Sequence, residues 1–285
     1  MSQSKNSKKF FVGFATIAIP IIVVVAVFSF IFILGNPGNF KTSPEAVSKM
    51  GSVWERSSVN FWKEAPAPDG VLGTVHSGGI IVPLLMSLLL MVITFVFERF
   101  ITIFRAKGKG SIASFVANVH QLLSKGDIAQ AKLKCDEQRG SVANVIRAGL
   151  GKYEEMLTAD NLNKDQKLVA IKQEFEEATS LELPMLEQNL VILATISSIA
   201  TLMGLLGTVL GMIKSFSAMA KTGAPDAVQL ASGISEALIN TALGIGTSAI
   251  AIIFYNFFTT QIDKMTYSID EAGVALTQNF ASRHN

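Results

Sequence analysis

"LVILATISSIATLMGLLGTVLGMI", residues 190 to 213, runs for 24 positions without a charged side chain. A helix rises about 1.5 Å per residue, so a run of this length exceeds the roughly 30 Å hydrocarbon core of a bilayer. Three glycines and several Ser and Thr residues interrupt the apolar side chains. The stretch therefore reads as a membrane helix that gives up packing volume and admits polar groups.

Three further runs match it: "FFVGFATIAIPIIVVVAVFSFIFIL" at 10–34, "GIIVPLLMSLLLMVITFVF" at 79–97 and "ALINTALGIGTSAIAIIFYNFF" at 237–258. The first follows Lys5, Lys8 and Lys9, as a signal peptide would. It is longer than the roughly 7 to 15 apolar residues of such a peptide, and no A-x-A-like site follows, so it reads as an uncleaved anchor. Charged residues make up 16% of the 285-residue chain, against about 25% in soluble domains, and mean hydropathy is +0.43. The net charge of +2 and the lack of Lys/Arg clusters interleaved with aromatics exclude a nucleic-acid surface. A single Cys135 excludes an internal disulfide, and His76, His120 and His284 lack metal-ligand spacing, so neither a cofactor nor a metal is expected.

The fold class is accordingly all-α: a polytopic membrane protein with four transmembrane helices and a cytoplasmic helical domain. Basic residues precede the first run and follow the second (Arg99, Arg105, Lys107, Lys109), whereas 217–236 holds only Lys221. The positive-inside rule places both termini and the long 98–189 segment in the cytoplasm. The expected organisation is an anchor at 1–35, a segment on the far side at 36–78, and a second transmembrane helix at 79–104. A cytoplasmic helical domain follows at 105–187, a third transmembrane helix at 188–220, a turn with the fourth helix at 221–258, and a C-terminal cytoplasmic helix at 259–285. Trp54 and Trp62 suit either an interfacial anchor or a small external fold.

Within the cytoplasmic part, 111–140 predicts two short helices broken at Gly126, with Asp127 as N-cap. A longer helix is expected from Asn161 or Asp165 to Glu182, with Leu168, Ile171, Phe175 and Ala178 on its apolar face. Pro184 either kinks it or marks its junction with the third span. His120, inside an apolar helical pattern, reads as a surface or packing residue.

Two stripes carry the functional question. Ser197, Thr201, Gly204, Thr208, Gly211 and Ser215 recur at alternating spacings of four and three, and Ala237, Thr241, Gly244, Ser248, Ala251 and Tyr255 repeat the pattern. Such stripes serve close helix packing, Gly207 and Gly211 forming a GxxxG, or they line a cavity for water, ions or a partner helix. Glu236, with Asn240 one turn deeper, stands at the edge of the fourth run. It suits an ion route or a hydrated interfacial residue paired with Lys214. No other Asp or Glu lies within the four runs, so any proton crossing the midplane needs a carboxylate from another subunit. No G-x-S-x-G or P-loop is present, and "KGKG" at 107–110 reads as the basic flank of the second span, so no enzyme is expected.

"GLLGTVLGMIKSF" (204–216) followed by "GISEALINTALGIGTSAIAIIFYN" (233–256) resembles the paired signature of the ExbB/TolQ/MotA proton-channel family, on its ExbB and TolQ side. The matching positions are Gly204, Gly207, Thr208, Gly211 and Phe216, then Gly233, Glu236, Ala237, Leu238, Thr241, Gly244, Tyr255 and Asn256. The resemblance implies a proton-channel subunit of a motor complex in the bacterial inner membrane, driven by the proton motive force. It further implies a pentamer around ExbD/TolR-like single-span partners that bring an intramembrane aspartate, with a TonB-like protein carrying the work to outer-membrane transport. Thr208, Thr241, Glu236, Ser197, Thr201 and Ser248 would then line the proton pathway, and Gly204, Gly207, Gly211 and Gly244 would pack helices. Residues 36–78 would be periplasmic. The chain departs from the family in its added first span, and in Thr201 and Ile250 where prolines are frequent. A passive membrane scaffold is the alternative; a secondary transporter would show inverted repeats, and none is visible.

Overall fold

A computed structural model describes residues 2–35, 70–76, 78–159, 161–222 and 227–283. Trp54, Trp62 and most of the 36–78 segment lie outside the described residues. Every regular element among the described residues is helical. They are α1 (Ser2–Ser29), a π-helical turn (Phe30–Leu34), α2 (Gly70–His76), α3 (Ile81–Lys107), α4 (Ile112–Lys125), α5 (Ile128–Gln138), α6 (Ser141–Thr158), α7 (Lys164–Glu187), α8 (Leu190–Thr222) and α9 (Ala227–Arg283). Among the described residues, four helices are long and apolar enough to cross a membrane. In α1 the β-branched run of Ile and Val would suit a strand in water. In lipid a helix satisfies every backbone group internally, which overrides that propensity.

The chain forms two compact units, residues 1–96 with 192–254 and residues 97–191 with 255–285. In the first, Phe30 and Leu34 of the π-helical turn bury against Val82, with Ile31, Val75, Met86 and Leu243 packed around them. The His76 ring stacks on Phe30 at 4.6 Å.

In the second unit the turn chemistry follows the sequence closely. Gly126 ends α4 at φ +83°, and Asp127 caps α5 by accepting from the Gln130 amide at 2.9 Å. α7 starts with a capping box: Asn163 accepts from the Gln166 amide at 2.8 Å, and the Gln166 side chain accepts from the Asn163 amide at 3.0 Å. The helix runs past the expected Glu182 to Glu187. Pro184 lies inside its last turn, where its carbonyl accepts from the Gln188 amide at 3.1 Å. The chain then turns at Asn189, which has φ +65°.

The lower half of α9 buries Phe258, Ile262, Met265, Ile269, Ala272, Leu276 and Phe280, a single face at spacings of three and four. Phe175 of α7 wedges between two glycines: a Cβ on Gly149 of α6 or on Gly273 of α9 would stand 2.7 Å from its ring. Tyr153 meets Phe280 edge-on at 5.0 Å and donates its hydroxyl to Asn279 Oδ1 at 3.1 Å, and burial pushes its pKa up. Arg283 donates to the Ser124 carbonyl at 2.5 Å, a cation placed on the carbonyl end of α4.

Candidate functional site

The two stripes face each other within one chain. A Cβ on Gly244 would stand 2.6 Å from the Ala200 carbonyl oxygen and 2.8 Å from Gly204 Cα; on Gly204, 3.0 Å from the Asn240 carbonyl oxygen. On Gly211 it would stand 2.7 Å from the Gly233 carbonyl oxygen. α8 and α9 thus approach backbone to backbone, which only small residues on both faces permit. Gly207 lies against the Asn240 side chain of the same helix pair rather than on the open side of α8.

Polar groups punctuate this seam. The Thr208 and Thr241 hydroxyls hydrogen-bond to each other, and each also lies within reach of the Gly204 carbonyl, at 3.3 and 3.4 Å; Thr241 also reaches the Ala237 carbonyl at 3.2 Å. Two hydroxyls carry two protons for four such contacts, so one donates to the other and the second donates to a carbonyl, in either order. Both threonines are partly exposed. Seven residues along α9, Ser248 donates to the Ser197 carbonyl, while Ser197 donates to the Ala194 carbonyl at 2.7 Å. Thr201 is partly exposed on the same face.

At the other end Glu236, 9% exposed, accepts from Lys214 Nζ at 2.6 Å. Its other oxygen occupies the space that a Cβ on Gly79 would need, and Gly79 has φ +75°. Asn240 donates to the Gly78 carbonyl at 2.7 Å. The structure therefore brings Glu236 and Lys214 together and adds the Gly78–Gly79 turn, for which the sequence held no signal beyond two adjacent glycines. Glu236 and Thr241 lie five residues apart on α9, about 7.5 Å along the axis.

Sequence reasoning missed one polar centre altogether. Arg99, counted above among the flanking cations, is 0% exposed. It donates from Nε and Nη2 to the two oxygens of Glu98, at 2.7 and 2.5 Å, and from Nη1 to the Leu186 carbonyl at 3.2 Å. Thr102 and Asn189 donate to the same carboxylate at 3.1 and 3.4 Å. Neighbouring residues on a helix do not ordinarily face each other, so spacing could not announce this pair. Cys135 is buried, and its thiol is pushed up to about 12 by burial and by the charge of Asp136. Among the described residues, no group of three His, Cys, Asp or Glu side chains is arranged to hold a metal ion.

Residues 137–271 match the MotA/TolQ/ExbB proton channel family, covering α6 through the lower part of α9 and with them the whole seam. Over that stretch, a little under half of the chain, the sequence is similar to this family. Among relatives of the MotA/TolQ/ExbB channels, the biopolymer transport protein ExbB-like 3 of Synechocystis sp. is 41% identical over 85 residues, 29% of this chain and 40% of that protein. The Tol-Pal system protein TolQ of Pseudomonas aeruginosa is 32% identical over 124 residues, 44% of this chain and 54% of its own length. The biopolymer transport protein ExbB of Pseudomonas putida is 41% identical over 81 residues, 28% of this chain and 25% of its own. The matches thus span from 25% to 54% of these relatives.

Proposed function

We propose that the chain is the channel subunit of an energy-transducing complex of the bacterial inner membrane, driven by the proton motive force. It works with an ExbD/TolR-like single-span partner whose intramembrane aspartate carries the proton, within a pentameric ring of this chain, and it energises a TonB-like protein for outer-membrane transport. Both termini and the 98–189 segment are cytoplasmic in this reading. The observation that carries it is the Thr208–Thr241 hydroxyl pair: partly exposed hydroxyls on a rigid seam whose carboxylate, Glu236, lies five residues from Thr241 and is paired with Lys214. A hydroxyl pair that donates in either order relays a proton, yet it needs an acid or base beside it to load and unload one. Ser197, Thr201 and Ser248 extend the polar path along the seam, and Glu236 forms its outer end. Gly204, Gly207, Gly211 and Gly244 hold the two helices at the distance the relay needs.

A second reading is supported by TolQ of the Tol-Pal system, whose match covers the largest share of this chain among the three relatives above. There the same proton-driven motion serves a Tol-Pal type partner in place of a TonB-like one.

The test is proton uptake into proteoliposomes holding the chain with and without a single-span partner bearing an intramembrane aspartate. Thr208→Val and Thr241→Val remove a hydroxyl at nearly constant volume and should each lower flux by about tenfold or more, since general acid–base groups contribute on the order of 10²-fold. Full flux in both variants, with the oligomer intact, sinks the channel-lining assignment. Replacing the TonB-like protein by the Tol-Pal one in a co-purification separates the two readings.

A further inference from the structure

Asn240 is 1% exposed, and only half of its amide is used. Nδ2 donates to the Gly78 carbonyl at 2.7 Å, while Oδ1 is buried without a hydrogen-bond partner. An unpaired buried carbonyl oxygen is unfavourable, and an apolar residue of the same size would fill the space beside Gly207 without that cost. What the amide supplies is a tie to one particular acceptor, and that acceptor lies in the turn heading α3.

The Gly78–Gly79–Ile80 turn meets α9 at a second point. Glu236 lies four residues before Asn240 on the same helix face, and its carboxylate rests where a Gly79 side chain would stand. Glu236 is nonetheless nearly buried, although the Lys214 side chain that pairs with it is 56% exposed. A cation that open shields little surface, and the glycine turn is the cover that lies directly on the carboxylate. Lys214 is the charged group that faces Glu236 from α8, and the turn brings none.

We infer that Asn240 is a positioning residue for Glu236: by tethering the Gly78 carbonyl it fixes the glycine turn that seats the carboxylate at the end of the polar seam. The inference rests on the reading of Glu236 as the outer end of the proton pathway. Gly79 is the other half of the device, because any side chain there would push the carboxylate off its seat and would also have to adopt a left-handed φ.

The test measures the seat without using proton flux. The full chain in lipid nanodiscs is treated with a water-soluble carbodiimide and an amine, and modification at Glu236 is quantified by mass spectrometry relative to Glu176, whose side chain is 67% exposed. Asn240→Leu should raise the Glu236 ratio by about fivefold or more, as expected for loss of one buried hydrogen bond, and Gly79→Ala should do the same from the other side. Because both act through one turn, the double variant should exceed the larger single effect by less than about twofold. Asn240→Ala is made in parallel, so that the comparison stands if the leucine variant does not fold. An unchanged Glu236 ratio in the folded Asn240 variants, or effects that multiply with Gly79→Ala, overturns the inference. Glu236→Gln with undiminished proton flux would remove the functional reading instead, whatever the labelling shows.

Discussion

Replacing Arg99 by methionine removes a fully buried cation and leaves its surroundings in place. Glu98 would keep only the Thr102 hydroxyl at 3.1 Å and the Asn189 amide at 3.4 Å, and the Leu186 carbonyl would lose its guanidinium donor. Glu98 is itself only 9% exposed, so water cannot replace the lost partner. Breaking a buried ion pair from one side costs about 3–5 kcal/mol, whereas replacing both partners by apolar residues of similar volume is often neutral or stabilising. At roughly 3–5 °C per kcal/mol for a unit of this size, Arg99→Met should lower the melting temperature by about 10–20 °C, and Glu98→Met with Arg99→Met should recover most of it. Arg99→Lys should fall between, because an ammonium cannot form the two-point contact. Cys135 supplies the assay: it is the single thiol of the chain, buried in the same unit as Arg99, so a thiol-reactive dye reports that unit's unfolding in the purified full-length protein. A melting temperature for Arg99→Met within about 2 °C of the parent, or a double variant no better than the single, would refute the reasoning.

The close approach of α8 and α9 predicts that Gly244→Ala destabilises by about 1–3 kcal/mol, because its Cβ would meet backbone atoms that cannot move aside. A melting temperature equal to that of the parent would contradict the seam. Gly149→Ala and Gly273→Ala should each destabilise through the Phe175 ring, and Phe175→Leu should relieve either one, a coupling that a double-mutant cycle measures. Cys135 should resist maleimide at pH 8 until the protein unfolds. The folded state holds the thiol proton to about 12, above the ordinary thiol value of 9.0, so the thiol's contribution to stability is complete below about pH 9 and declines towards pH 12. Melting scans between pH 8 and 11 check it, and a Cys135→Ala variant should lose that part of the decline.

Much of the secondary structure was legible because its signals are local. A charge-free run of 24 residues can end only in a membrane or a large core, and Gly126 followed by Asp127 breaks one helix and starts another by short-range chemistry. The end of α7 was misjudged by five residues because a proline tolerated in the last turn looks, in sequence, like a stop. The stripes of α8 and α9 were visible as stripes, with packing and pore lining both open. The backbone approach at Gly204, Gly211 and Gly244 gives packing a definite partner, while Thr208 and Thr241 stay partly exposed on one flank of the seam.

By itself, the sequence determined that this chain is helical, that four of its helices can cross a membrane, and which small and hydroxyl residues share a face. Periodicity records a shared face, however, and says nothing of what covers it. Tertiary structure alone decided that Arg99 turns inward to a carbonyl 87 residues away, and that Asn240 ties down a turn 162 residues before it. In both cases the side chain is polar, and one acceptor of its buried donors belongs to a distant segment, Leu186 for Arg99 and Gly78 for Asn240. No local pattern can encode that pairing, because the cost of desolvating a donor or a charge is decided by the partner that folding brings to it.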